Sequence, residues 1–245
     1  MSNEKLTNSQ LNFLISTCLS LELYDKAYDY TYDLIKKNKN NLNEEERNLF
    51  MRSIKGKLFY PRNGWKTIID FENYEGNKLL LPKNLVDEKR KFLEKEIKDL
   101  CFKTIETIKI LEKENKNNDI NAKIFYLKLK ADYLRYYGEI ATEEEFEKYK
   151  DECRKSYDDA YELCKDNLES TSPLFLSVAL NYSVFLYSLT DELKLAYDKV
   201  NDVYKQAILK LAPEQKIPEV DNMIKSIEEN LTIWKIELSD YDNEN

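Results

Sequence analysis

Apolar residues recur at the three-to-four-residue spacing of an amphipathic helix along almost the whole chain, and the breaks between such stretches carry helix-capping chemistry. Asn43 followed by Glu44, Glu45 and Glu46 is a strong helix start, because the side chain of Asn43 can accept from the first turn while the acids face the positive end of the helix dipole. Thr142 with Glu145 three residues on fits a capping box. Ser172 before Pro173 reads as a cap ahead of a first-turn proline, and Pro218 suits another helix start. The pattern predicts nine helices, over residues 5–21, 23–38, 43–70, 84–114, 120–138, 143–166, 173–189, 191–211 and 218–239. The connections, among them 37–41 and 113–119, are short and polar, so consecutive helices are expected to pack antiparallel as hairpins. The fold class is all-α. Leu23–Tyr30, Tyr157–Cys164 and Leu195–Tyr204 resemble one another, but Ala27, Ala160 and Ala196 are unevenly spaced, which argues against a strict helical repeat.

Composition fits this picture. Gly 4 and Pro 5 among 245 residues leave few tight turns, and no Gly/Pro/Ser-rich linker divides the chain, so a single helical domain over 1–240 is expected, with a short acidic tail at 241–245. Hydrophobic residues make up 42% of the chain, and 18 Tyr and 10 Phe supply much of the volume of a core. The apolar stretch around Leu11, Phe13, Leu14 and Ile15 is interrupted by polar residues and has no basic segment before it, which argues against a signal peptide. No uninterrupted apolar run reaches the ~18 residues of a membrane helix, so no membrane contact and a cytoplasmic location are expected. Cys18, Cys101, Cys153 and Cys164 lack metal-ligand or disulfide spacing and read as small core hydrophobes.

Charge and chemistry narrow the function. The count His 0 removes the usual general base, the Ser-His and Cys-His pairs and the commonest transition-metal ligand. No nucleotide-binding or nucleophile-elbow motif is present either, so no enzyme activity, cofactor or metal is expected. The net charge of −8 argues against nucleic acid as the main ligand. Against that acidic background, the stretch from Arg47 to Ile69 holds six basic residues, Arg47, Arg52, Lys55, Lys57, Arg62 and Lys66, and no Asp or Glu. Lys55 and Arg62 lie seven residues apart and point the same way on a straight helix. A second helix carries Lys128, Asp132, Arg135 and Tyr136 as one polar stripe. If the two stripes faced each other, Arg62 and Arg135 could fork a phosphate while Lys55 adds charge and the Tyr136 hydroxyl donates. A solvated basic helix face is the plainer reading of the same residues.

Four ordered blocks resemble the 14-3-3 family. They are Glu45-Glu46-Arg47-Asn48-Leu49 followed by Trp65, Phe125-Tyr126-Leu127-Lys128 through Asp132-Tyr133-Leu134-Arg135-Tyr136, Ala179-Leu180-Asn181-Tyr182-Ser183-Val184-Phe185, and Asn230-Leu231-Thr232-Ile233-Trp234. The resemblance implies nine antiparallel helices with a concave amphipathic groove lined by the third, fifth, seventh and ninth. It assigns phosphate binding to Lys55, Arg62, Arg135 and Tyr136 and matches Lys128 to a nearby basic position, and Lys128 and Asp132 are counted with the peptide-backbone and groove residues. Asn181 and Asn230 match asparagines that hydrogen-bond the ligand backbone, and Leu180, Val184, Ile233 and Trp234 match the apolar groove wall. The function it implies is an adaptor that binds phosphoserine or phosphothreonine segments of client proteins in an extended conformation. The implied assembly is a homodimer, with Leu21, Leu23, Ile68, Phe71 and Phe92 at the matching surface positions.

The chain departs from the family pattern in ways that bear on that function. Pro61, flanked by Gly56 and Gly64, is expected to disturb the third helix between Lys55 and Arg62. Ser188 stands where the family usually has a glutamate, and Asn222 and Ser226 replace aliphatic groove residues. Leu23 with Glu96, and Lys26 with Phe92, replace two charge pairs of the family dimer, so an altered dimer geometry is expected. A degenerate scaffold that binds partners without reading phosphate is the alternative these departures suggest.

Overall fold

The structure is a computed structural model and describes residues 6–38, 41–74, 82–115, 119–211 and 217–244, the side chains of 241–244 excepted. Among the described residues there are nine α-helices and no strand. They are α1 (Asn8–Ser20), α2 (Tyr24–Lys37), α3 (Glu44–Asn73), α4 (Lys83–Glu114), α5 (Ile120–Gly138), α6 (Glu143–Asn167), α7 (Pro173–Thr190), α8 (Leu193–Lys210) and α9 (Pro218–Glu244).

The helix starts follow the capping chemistry closely. The Asn43 side chain accepts from the Glu46 amide at 3.0 Å, and the Glu46 carboxylate accepts from the Asn43 amide at 3.0 Å, so two orphan donors of α3 are satisfied reciprocally. Thr142 and Glu145 form the same box at the start of α6, and Thr7 with Gln10 forms a third at α1. Ser172 differs from expectation: Pro173 opens α7, but the Ser172 hydroxyl makes no capping bond. Pro173 at the first helical position carries no N–H and brings a φ already set for the helix, which favours the start of α7 without that bond.

The chain forms two compact units, Met1–Asn117 and Asn118–Asn245. In the first, α1, α2 and α3 enclose a core of Leu11, Ile15, Cys18, Leu19, Ala27, Leu34 and Leu49, and α4 packs along α3. The turn between α1 and α2 passes through Glu22 at φ 55°, a left-handed conformation held by the bond from the Leu23 amide to the Cys18 carbonyl. Gly56 contributes to packing rather than to flexibility, because a Cβ there would fall within the Tyr24 ring of α2. Helix α3 runs unbroken through Pro61 to Asn73, so the expected disturbance does not end the helix between Lys55 and Arg62.

In the second unit α5 packs on α6 and α7, and α7 in turn on α8 and α9. Its core is aromatic: Tyr126, Tyr133, Tyr157, Tyr182 and Phe185 are all fully buried, with Tyr157 stacked on Tyr182 at a centroid distance of 5.3 Å. Gly138 closes α5 where a Cβ would meet the Phe146 ring at 2.7 Å and Leu189 at 2.8 Å. Helix α7 is long and apolar enough to cross a membrane by length and composition, but Phe175, Leu176, Val178, Ala179, Tyr182, Phe185 and Leu186 are buried in this core. That is the setting of a central core helix. Helix α9 continues past Asp240 to Glu244, so the backbone of the expected tail is helical that far.

Candidate functional site

Helix α5 places Lys128, Asp132 and Arg135 on one face, as their spacing requires, and all three are buried, at 8%, 4% and 6% exposure. Charges at that depth must be paired. The Asp132 carboxylate accepts from three directions: Oδ2 from the Lys128 ammonium at 2.6 Å, and Oδ1 from the Tyr157 hydroxyl of α6 at 2.7 Å and the Asn181 amide of α7 at 2.8 Å. Burial alone would raise this carboxyl, but the charges of Lys128 and Arg135 and the bonds from Lys128 and Tyr157 outweigh it and hold Asp132 below the usual carboxylate range.

Arg135 is fixed on three sides. Its Nε donates to the Tyr157 hydroxyl at 3.3 Å, its Nη1 to Glu139 at 2.9 Å, and its guanidinium lies 4.6 Å from the centre of the half-buried Tyr136 ring. Burial would lower its pKa, yet the surrounding Tyr157, Tyr136, Asp132 and Glu139 raise it, so the cation is permanent. Burial first, then Asp132, pushes the Tyr157 hydroxyl well up, so Tyr157 keeps the proton it gives to Asp132 and accepts from Arg135 with a lone pair. The bonds to Tyr157 and Glu139 use Nε and Nη1, and Nη2 brings two further donors to the fork.

The sequence pattern did not reveal Glu139 or Tyr157 as members of this cluster. Glu139 could have been found, since it stands four residues after Arg135 on the same helix. Tyr157 arrives from a different helix 22 residues on, and only the packing of α6 against α5 brings it in.

On α7, Leu180 and Asn181 are half-buried, and Val184 is half-buried about one turn further on. Ser188 is exposed and its hydroxyl donates to the Val184 carbonyl at 2.7 Å. On α9, Asn230 is half-buried and Ile233 is 53% exposed, whereas Trp234 is 3% exposed with its ring 5.2 Å from that of Tyr187. Tyr187 in turn donates to Glu237 at 3.0 Å, joining α7 to α9. Asn222 is exposed and Ser226 half-buried, so the polar replacements lie on the same helix as Asn230 and Ile233.

In the first unit the basic stripe separates into different roles. Arg47 is buried and donates to the Leu42 carbonyl at 3.2 Å, which makes it a structural part of the α2–α3 connection. Lys57 pairs with Asp25 at 2.8 Å and sits 4.7 Å from the Tyr28 ring centre. Lys55, Arg52 and Lys66 are exposed along α3 and Arg62 is half-buried. Leu21, Leu23 and Phe92 are exposed at 62%, 42% and 52%, and Ile68 and Phe71 are half-buried.

The four cysteines are buried free thiols, and burial pushes the thiols of Cys153 and Cys164 up, that of Cys164 to about 12, which keeps these two protonated and unreactive at neutral pH. Among the described residues no group of three or more Cys, Asp or Glu side chains is arranged to hold a metal.

Comparison with known proteins places these features in a family. The 14-3-3 protein family model matches residues 14–235. The chain is 31% identical over 211 residues to 14-3-3 protein homolog 2 of Schistosoma mansoni, covering 84% of this chain and 96% of that relative. It is also 31% identical over 198 residues to 14-3-3 protein zeta of Bombyx mori, covering 79% and 78% of the two. With the all-α architecture and the match across most of its length, the chain belongs to the 14-3-3 family.

Proposed function

We propose that this protein is a non-catalytic, cytoplasmic adaptor that binds phosphoserine- or phosphothreonine-containing segments of client proteins in an extended conformation. The observation that carries the proposal is the state of Arg135: a buried, permanently charged guanidinium whose Nε edge is tied to Tyr157, with donors remaining on the Nη side. A phosphate brings a charge of about −1.5 to −2 and three strong acceptor oxygens, which a rigid arginine fork matches bidentately. Tyr136 beside it, and Lys55 and Arg62 on α3, are proposed phosphate-binding residues. Lys128 and Asp132 are proposed to shape the site. Asn181 and Asn230 are proposed to bond the peptide backbone, while Leu180, Val184, Ile233 and Trp234 contact its side chains.

Calorimetric titration with a matched pair of phosphorylated and unphosphorylated peptides tests this. The phosphorylated peptide is expected to bind at least about tenfold more tightly, a preference that Arg135→Ala removes and that Lys55→Ala and Arg62→Ala each reduce. Equal affinities for both peptides would refute phosphate reading. The polar residues Ser188, Asn222 and Ser226 favour a second reading, a scaffold that binds partners without phosphate. In that case partners recovered from cells stay bound after phosphatase treatment.

Self-association is proposed through Leu21, Leu23, Ile68, Phe71 and Phe92, as a homodimer whose surface is apolar where charge pairs would be salt-sensitive. Sedimentation is expected to give the same dimer at low salt and at about 1 M salt, and a monomer for Leu23→Lys with Phe92→Lys. A dimer that dissociates as salt rises would contradict the apolar interface.

A further inference from the structure

We infer that Asp132 is a positioning residue that sets the hydrogen-bond polarity of two ligand contacts at once, the guanidinium of Arg135 and the side-chain amide of Asn181. The inference rests on the proposed function for what those contacts bind, but the positioning itself is a property of the ligand-free protein.

An ionised carboxylate only accepts, so every group that touches Asp132 must turn a donor toward it. For Asn181 this fixes the amide: Nδ2 faces Asp132 at 2.8 Å, which leaves the carbonyl oxygen and the second N–H for a ligand. An extended peptide offers a main-chain N–H and C=O pair, the complement of that remaining acceptor and donor. With a donor at position 132 instead of a carboxylate, the amide could turn over and present the reverse face.

For Arg135 the same carboxylate acts through Tyr157. The Tyr157 hydroxyl has one proton, and Asp132 takes it at 2.7 Å. The oxygen can therefore only accept from Arg135, and it does so from Nε at 3.3 Å. That bond turns the Nε edge of the fork inward and, with Nη1 donating to Glu139 at 2.9 Å, directs the donors of Nη2 to an anion. Lys128, 2.6 Å from the other carboxylate oxygen, holds Asp132 ionised and in place. One buried acid on α5 thus aligns a group on its own helix through α6 and another directly on α7. Neither Asp132 nor Tyr157 need touch the ligand for either to matter.

The test uses the full chain and three variants, Asp132→Asn, Tyr157→Phe and Asn181→Ala, each checked for fold by circular dichroism. In the free protein, the side-chain amide of Asn181 is followed by nitrogen-15 NMR. One amide proton is expected to resonate downfield in the wild type, to stay there in Tyr157→Phe, and to lose that shift in Asp132→Asn. Affinity is then measured for the phosphorylated and unphosphorylated forms of one peptide. Tyr157→Phe is expected to reduce the preference for phosphate about tenfold, Asn181→Ala to weaken both forms equally, and Asp132→Asn to do both.

An Asn181 resonance unchanged by Asp132→Asn overturns the inference, as does a Tyr157→Phe variant with full phosphate preference. If Asp132→Asn fails to fold, Tyr157→Phe still decides the arm to Arg135, and its unshifted Asn181 signal together with the loss of preference supports the assignment. If the wild type shows no phosphate preference, the proposed function fails. The amide resonance in the free protein then still decides whether Asp132 orients Asn181.

Discussion

At the scale of the residue, the buried α5 stripe makes a prediction about acid stability. The folded-state pKa of Asp132 lies below its unfolded value of about 3.9, because Lys128, Arg135 and the donated hydrogen bonds outweigh burial. The unfolded chain therefore takes up this proton first as pH falls. The contribution of Asp132 is fully present above about pH 4 to 5 and is lost as pH drops through the depressed folded value. Asp132→Asn is expected to be less stable at neutral pH by about 3 kcal/mol, since Lys128 is left without its buried partner, and its stability should fall less steeply below pH 4 than that of the wild type. Urea unfolding at a series of pH values checks both statements. A variant curve that parallels the wild type below pH 4 would show that Asp132 is not a linked group. The spacing of Lys128, Asp132 and Arg135 put them on one helix face, and the family resemblance singled out Asn181, but neither revealed the bond between Asn181 and Asp132. The Asn181 amide donates to Asp132, and a partner 49 residues away in the chain leaves no local trace.

At the scale of the element, helix limits were the most readable feature because they depend on neighbouring residues. The Asn43–Glu46 and Thr142–Glu145 boxes and the prolines at 173 and 218 mark starts that the structure keeps. Glu22 and Asp191 were not readable as turn positions, since both adopt positive φ where glycine would be the usual signal. Pro61 was read as a disturbance, yet α3 continues across it for another three turns, carried by packing on α2 and α4. The local cost of the ring remains, because Pro61 cannot donate to the Lys57 carbonyl. Pro61→Ala is therefore expected to raise the stability of the protein by about 1 to 3 kcal/mol, measured as an increase in thermal midpoint. A lower midpoint would show that the proline ring contributes packing that outweighs the missing bond. Gly56 carries the opposite lesson: read as a softening residue, it sits where α2 and α3 approach too closely for any side chain.

At the scale of the whole molecule, the count of zero histidines, which argued against catalysis, also shapes how ligand binding should respond to pH. Histidine is the side chain whose ordinary pKa would change charge between pH 5 and 8, and this protein has none to contribute. Arg135 is held charged by its surroundings across that range, and Asp132 is held ionised. The second ionisation of a phosphoserine, at about pH 6, is then the group that titrates in the complex. A fixed guanidinium binds the dianion more tightly than the monoanion, so the affinity for a phosphorylated peptide should rise as pH increases from about 5 to about 7 and then level off. By linkage, binding near pH 6 should release protons, all of them from the peptide, and binding at about pH 7.5 should release essentially none. Titration calorimetry in two buffers of different ionisation enthalpy measures those protons directly. Proton uptake or release at pH 7.5 would place a titrating group on the protein side, and the phosphate would then not be the sole pH-sensitive partner. The unphosphorylated peptide provides the control, because without the phosphate its affinity should stay level over the same interval.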